Sequence, residues 1–340
     1  MLARNGGAGV TIRRRSRVSE ALNPELVLQL CVQSAPMIAR DVRRFDLVHP
    51  DGAALPSFTP GAHLLIQAPN AMTRRYSLCN APDDADRYSI AVKREAAGRG
   101  GSASIVDGVA DGDLLHVSTP RNDFELKEGA PGYVFIAGGI GITPILSMVR
   151  HLAATSDRPW KLYYLTRDAG QTPFRDELLA PPFRGKVVLH HDNGDPDQAL
   201  DLWPVLEKPK GAHLYCCGPT GLMDAVRDMT GHWSSSTVHF EDFGAGRVAR
   251  TIADTPFTVR LGTDGPPIAV DAAQSILEAL RAHGHRVPSS CESGTCGSCR
   301  MKLLAGEPDH RDLVLSDDER RHEIIVCVSR SHSPELTLAF

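Results

Sequence analysis

The sequence has no long hydrophobic run that would cross a membrane. Its nearest approach, residues 132–149, is 18 residues without a charge, but Gly138, Gly139, Gly141, Thr143 and Pro144 stand in its middle. Those residues break a spanning helix and suit a strand, a tight loop and a new helix. No apolar segment follows the early charges, so no secretory leader is read and the expected location is the cytoplasm. Neither sign of charge dominates: 37 Lys+Arg against 41 Asp+Glu leave −4, which gives no broad basic footprint for nucleic acid. Arg13, Arg14, Arg15 and Arg17 form one local basic run without aromatic interleaving, the pattern of a solvated tail. The 30 glycines and 24 prolines form no periodic tract, which excludes a collagen-like chain, and there is no internal repeat.

At about 100–200 residues per domain, a chain of 340 residues with 42% hydrophobic and 23% charged residues is multidomain and globular. Residues 1–24 read as a flexible head. Over 25–126, short β-rich runs alternate with turns such as Pro50-Asp51-Gly52, predicting a small antiparallel β-barrel. From 127 to 244, apolar runs at 133–137, 162–165, 187–190 and 213–216 alternate with helix-length segments, the signature of an α/β domain with a parallel sheet. Residues 245–255 read as a linker, and 256–340 as an α+β unit in which Ile276, Leu277 and Leu280 form one helix face and Gly284 ends the helix.

Three of the eight cysteines crowd into Cys291-Glu292-Ser293-Gly294-Thr295-Cys296-Gly297-Ser298-Cys299, and Cys327 follows after 27 intervening residues. The C-x4-C-x2-C…C spacing is that of a plant-type [2Fe–2S] cluster held by four thiolates. Gly294 and Gly297 let such a loop wrap a cluster, and small side chains leave backbone N–H groups free to point at sulfur. The alternative is a zinc site, but zinc usually takes two short paired elements, and here three ligands share one loop. Without Cys-x-His pairs, a Rieske centre is excluded.

Residues 290–300 with Cys327 resemble the ferredoxin module of the phthalate dioxygenase reductase family, which includes vanillate demethylase reductase components. That family joins a flavin barrel, a pyridine-nucleotide domain and a C-terminal plant-type ferredoxin of β-grasp fold. All three parts appear in that order over about residues 25–340.

Arg74-Arg75-Tyr76-Ser77 matches the R-x-Y-S pattern of ferredoxin-reductase-like flavin domains. Here Arg74 can neutralise the flavin phosphate, Tyr76 pack on the ring system and Ser77 bond its polar edge. Ala91, Lys93 and the glycine-rich Gly100-Gly101-Ser102 complete the expected flavin set, with the loop offering N–H groups to a phosphate at a helix start. The resemblance implies FMN rather than FAD. Gly139, Gly141, Thr143 and Pro144 follow a strand and open a helix, with Thr143 as expected N-cap and Pro144 at the first helical position. This is the family's G-x-G-x-x-P, with proline where the usual dinucleotide fingerprint has its third glycine. Cys217-Gly218-Pro219 resembles the family's C-G-P-x-x-M. The resemblance implies NADH contacts at these positions, Thr143 and Cys217 at the flavin–nicotinamide junction, Glu241 beside Cys217, and Phe243 over the flavin. Cys31, Cys79 and Cys216 read as buried small hydrophobes.

The resulting reading is an NADH-dependent FMN and [2Fe–2S] reductase component. It passes electrons to a separate Rieske-type aromatic-ring oxygenase or demethylase, and binds neither nucleic acid nor membrane. The alternatives are a reductase for a non-Rieske monooxygenase or another acceptor, and a non-catalytic zinc-binding or interaction protein. After the second strand of the nucleotide domain only Arg167 precedes Asp168, so a 2′-phosphate lacks a basic cluster and NADH is the expected donor.

Overall fold

A computed structural model describes residues 25–84, 86–96, 98, 100–243, 254–272, 274–289, 294, 297–312, 314–316 and 318–339. By their contacts these divide into two units that part after Glu241. The head at 1–24, most of the 245–255 linker, and Cys291 and Cys296 lie outside the described residues.

The first unit opens with strands β1 (Leu28–Ser34), β2 (Met37–Ala39), β3 (Val42–Val48), β4 (His63–Gln67), β5 (Thr73–Ser77), β6 (Tyr88–Lys93) and β7 (Leu114–Val117), with helix α1 (Gly101–Gly108) between the last two. The antiparallel path β6–β3–β1–β7–β4–β5 comes back on itself. A bridge between Leu78 and Ile90 and the Cys79 N–H bond to the Ser89 carbonyl at 2.8 Å join its ends. Closure into a barrel removes the exposed edges. Leu30, Phe45, Leu47, Leu64, Ile66 and Ile90 are fully buried inside it, each contributing about 1.5–3 kcal/mol relative to exposure.

The chain continues through β8 (Tyr133–Gly138), α2 (Ile142–Thr155), β9 (Trp160–Thr166), α3 (Arg175–Leu179), β10 (Val187–His191), α4 (Trp203–Leu206), β11 (His213–Cys217), α5 (Thr220–Met229) and β12 (Val238–Glu241). All strand pairs are parallel, in the order β10–β9–β8–β11–β12. Consecutive strands run outward from β8 on one side, and β11 and β12 fill the other. The carboxyl ends of β8 and β11 therefore flank the switch point, the place where open α/β sheets bind ligands. Residues 132–149 form β8, a tight turn and α2 rather than a membrane span. No helix among the described residues is long and apolar enough to cross a membrane.

One local expectation is corrected. Thr143 is not the N-cap of α2: a 3₁₀ turn at Gly139–Gly141 runs straight into Ile142, and Gly141 holds the cap position with already helical φ −60° and ψ −7°. The Ile142 N–H bonds back to the Gly139 and Ile140 carbonyls, so the turn itself supplies partners at the helix start. Thr143 instead lies inside the first turn, buried, with its hydroxyl donating to the Ile140 carbonyl at 3.1 Å. Pro144 is correspondingly the third helical residue, not the first.

The second unit contains β13 (Phe257–Leu261), β14 (Pro267–Val270), α6 (Ile276–Ala282), β15 (Arg300–Ala305), β16 (Pro308–Asp309), β17 (Glu323–Ile325), β18 (Arg330–Ser331) and β19 (Glu335–Ala339). Its mixed sheet runs β14–β13–β19–β15–β17, with β13 and β19 parallel and the other neighbours antiparallel, a β-grasp arrangement around one helix. Ile276, Leu277 and Leu280 of α6 join Val259, Val270 and Leu338 in its core. A capping box starts the helix: the Ser275 hydroxyl accepts from the Glu278 N–H, and the Glu278 carboxylate accepts from the Ser275 N–H at 2.9 Å. Gly284, at φ +82°, lies just past its end.

Candidate functional site

In β5 the two-residue alternation of a strand puts Arg74 and Tyr76 on one side and Arg75 and Ser77 on the other. On the first side, the Arg74 stem occupies the space above Gly101, where a Cβ would come within 2.8 Å of its Nε. Gly101 is the first residue of α1, and the cap residue Gly100 takes φ +87° with no side-chain cap bond to the helix amides. A guanidinium beside a helix amino end without a side-chain cap is a cradle for a phosphate. Ser102 holds the loop by accepting from the Glu95 N–H at 3.1 Å. Ala91 is buried in β6, and Lys93 at its end is exposed with its amine 3.9 Å from Glu95. Burial pushes the Tyr76 phenol up to about 12, so it stays neutral and offers a ring face with an O–H.

The other side of β5 meets the parallel sheet. The Arg75 guanidinium forks, donating to Glu241 at 2.7 Å and to Asp123 at 3.3 Å. The Ser77 hydroxyl donates to the second Glu241 oxygen at 3.5 Å, the outer limit of such a bond. Glu241 is 3% exposed and is the register partner of Cys217 on the adjoining strand, while Cys217 in turn pairs with Ala137. Ser77, Glu241 and Cys217 are thus assembled from three strands at the carboxyl end of the sheet.

Cys217 is followed by a loop in backbone contact with the loop after β8. A Cβ at Gly141 would stand 2.2 Å from the Cys217 carbonyl oxygen, one at Gly138 2.5 Å from Pro219 Cδ, and one at Gly218 2.9 Å from the Gly138 Cα. Gly139, at φ +53°, turns the chain between them. Cys216 faces the other way, into an apolar cluster with Leu214 and Met223, and burial pushes its thiol up to about 12.

Three contacts that the sequence reading missed fix the barrel to this sheet. Ser147 on α2 donates to the Asn80 carbonyl at 2.9 Å. Arg150 donates to the Cys79 carbonyl at 2.5 Å while gripping Glu177 at 2.6–2.8 Å. On another edge, the Arg40 N–H donates to the Gly170 carbonyl at 2.7 Å and its guanidinium meets Asp168 at 3.3 Å. No motif marks these residues. Arg75 could have been found, because strand alternation alone places it with Ser77.

In the second unit, Cys299 and Cys327 are both buried. They sit at matching ends of β15 and β17, where Arg300 pairs with Ile325 and the Val326 N–H donates to the Cys299 carbonyl at 3.3 Å. Gly294 and Gly297 take φ +78° and +75°, the left-handed conformation that a loop around a cluster needs. These features fit a four-cysteine cluster. Phe243 lies beyond the point where the units part and is partly buried.

A family model described as an oxidoreductase FAD-binding domain matches residues 29–126, one described as a ferric reductase NAD binding domain matches 133–180, and one described as a 2Fe-2S iron–sulfur cluster binding domain matches 263–332. The phthalate 4,5-dioxygenase oxygenase reductase subunit of Pseudomonas putida is 54% identical over 302 residues, 88% of this chain and 93% of its own. Phthalate dioxygenase reductase of Burkholderia cepacia is 54% identical over 312 residues, 92% and 97% of the two chains. A solved structure titled as phthalate dioxygenase reductase, a modular structure for electron transfer from pyridine nucleotides to [2Fe–2S], superposes with a TM-score of 0.86 at 54% identity, covering 92% of this chain and 98% of that one.

The chain belongs to the phthalate dioxygenase reductase family. As a member it is an NADH-dependent flavin and iron–sulfur oxidoreductase, a reductase component of the oxygenase-system type, and the zinc reading is set aside.

The site also contains a histidine that the family motifs do not mention. His63, opposite Ser77 in the β4–β5 ladder, is fully buried, and among the described residues neither ring nitrogen has a hydrogen-bond partner. Burial first, then Arg75 and Arg121, push its pKa from 6.5 down to about 2. The folded imidazole therefore stays neutral where the unfolded one takes a proton. Its contribution is fully present above pH 6.5 and is lost as pH falls below it, by about 1.4 kcal/mol per pH unit. In urea titrations at pH 4 to 6, His63→Asn is expected to flatten the pH dependence of unfolding by that slope. Equal slopes for the two proteins would contradict the assignment.

Proposed function

We propose that the protein carries FMN and passes electrons from NADH through the flavin and the [2Fe–2S] cluster to a Rieske-type oxygenase acting on an aromatic substrate. The observation that carries this reading is the meeting of Ser77, from the flavin motif, with Glu241 and Cys217, from the nucleotide sheet, in a chain that also holds a ferredoxin unit. A bound flavin accepts a hydride and releases its electrons singly, which matches a two-electron donor to a one-electron cluster.

The chain's own residues supply the positioning. Arg74 and the α1 amino end neutralise the flavin phosphate. Tyr76 packs on the ring system. Ser77, directed by Glu241, bonds the ring's polar edge. Gly139, Gly141, Gly218 and Pro219 admit the pyrophosphate at the switch point, and Cys217 and Thr143 position the nicotinamide. Cys291, Cys296, Cys299 and Cys327 hold the cluster.

Asp168, two residues past β9, is engaged by the Gln171 N–H at 3.1 Å and paired with Arg40 at 3.3 Å, with exposed Arg167 beside it. A carboxylate at that strand end repels a 2′-phosphate, so kcat/KM for NADH is expected to exceed that for NADPH by tenfold or more, on the order of 1.4 kcal/mol. Equal values would defeat the claim.

Cys217→Ala is expected to slow flavin reduction by NADH in rapid mixing while leaving both visible spectra intact. An unchanged rate would reduce Cys217 to a packing residue like Cys216.

Cys296→Ser tests the electron path. The variant is expected to lose the cluster's visible bands, to keep NADH–ferricyanide activity, which draws on the flavin, and to fail with every member of a panel of purified oxygenases. Retained oxygenase turnover would mean that the flavin reaches the partner without the cluster.

A further inference from the structure

Arg75 occupies the unspecified position of the R-x-Y-S motif, yet its placement is tightly determined. Its side chain is 10% exposed and its guanidinium is shared between two carboxylates, Glu241 at 2.7 Å and Asp123 at 3.3 Å. Glu241 is nearly buried, is held from the other oxygen by Ser77, and closes the strand that pairs with Cys217. A planar fork fixes direction as well as distance. Asp123 anchors one arm on the barrel, and the other arm then sets where the carboxylate stands and which oxygen faces Ser77.

We infer that Arg75 is a positioning residue for hydride transfer: held by Asp123, it orients the Glu241 carboxylate against Ser77 at the junction of flavin and nicotinamide. The inference rests on the proposed role of Glu241 and Ser77 in that junction. Arg75 acts through Glu241, so its removal changes the geometry of the reacting groups and not the grip on the nucleotide. Its loss leaves NADH affinity in place and lowers the limiting rate, because misplacement of reacting groups by about 1 Å can cost on the order of a hundredfold.

The experiment is anaerobic rapid mixing of the holoprotein with NADH, reading the limiting rate of flavin reduction and the apparent Kd, for Arg75→Gln, Arg75→Lys, Asp123→Asn, Glu241→Gln and the two double variants with Glu241→Gln. Arg75→Gln is expected to lower the limiting rate about ten- to a hundredfold with Kd within about twofold. Arg75→Lys recovers part of the rate, and Asp123→Asn shows a smaller loss of the same kind. Added to Glu241→Gln, neither Arg75→Gln nor Asp123→Asn slows the reaction further. If Arg75→Gln does not retain flavin, Asp123→Asn decides by the same criterion. A wild-type limiting rate in the deciding variant, or the same factor lost with and without Glu241→Gln, would overturn the inference. A wild-type rate for Glu241→Gln itself would instead remove the reading on which it rests.

Discussion

The structure of the first unit turns on a contact between two backbones. At the switch point of the parallel sheet, the loop after β8 and the loop after β11 lie so close that Gly138, Gly141 and Gly218 have no room for a Cβ. The contact fixes the start of α2 and the course of the chain leaving Cys217. Because Cys217 is in register with Glu241 on β12, it also fixes where the last strand ends. A side chain at any of these glycines would push apart the strands that frame the nucleotide crevice. The glycines and cysteine of the two signatures therefore form one packing unit, although about 75 residues of chain separate them, roughly the length of two βαβ crossovers.

Hydride transfer requires its two reactants in contact and correctly oriented. The flavin motif lies on the barrel and the nucleotide motifs on the sheet, so the seam between them must be stiff. The ion pair of Arg150 with Glu177, its bond to the Cys79 carbonyl and the Ser147 bond to Asn80 provide that stiffness from α2. Arg40 ties the loop after β9 to the barrel at a separate point. Arg75 closes the seam at the carboxyl end of the sheet, where Glu241 pairs with Cys217. Three of these bonds end on backbone carbonyls, those of Cys79, Asn80 and Gly170, whose positions follow from the backbone fold rather than from side-chain rotamers, and this makes them better anchors than exposed ion pairs.

The sequence carried the fold well because its periods are distinct. Alternation and turn chemistry mark the barrel, and apolar runs between helix-length segments mark the parallel sheet. The positions of Arg74, Ser77, Gly141 and Cys217 in local motifs led to the groups the structure brings together. Element ends were less legible: α2 begins two residues before Pro144 because the 3₁₀ turn feeds the helix without a side-chain cap, and Thr143 looked like a cap on residue type alone. The seam was not legible. Ser147, Arg150 and Arg40 act through the carbonyls of distant residues, and carbonyls have no residue identity for a sequence pattern to register. His63 was missed for a related reason, since an isolated histidine in a strand carries no signal until its burial and its neighbouring arginines are known.

The long gap between Cys299 and Cys327 has a structural reason in the second unit. Strand β15 leaves Cys299 and β17 returns antiparallel to it, so Val326 comes back level with Cys299 across the ladder and Cys327 is the next residue. The pairing of β15 with β17, rather than the path of the residues between, brings these two cysteines close. Gly294 packs against the same place, where a Cβ would come within 2.7 Å of the Val328 side chain, one residue beyond Cys327. The segment after Cys327 therefore packs directly on Gly294. Cys299 and Cys327 come together only when this pairing forms, so a metal group held through both is coupled to folding of the unit, as in other small metal-binding domains.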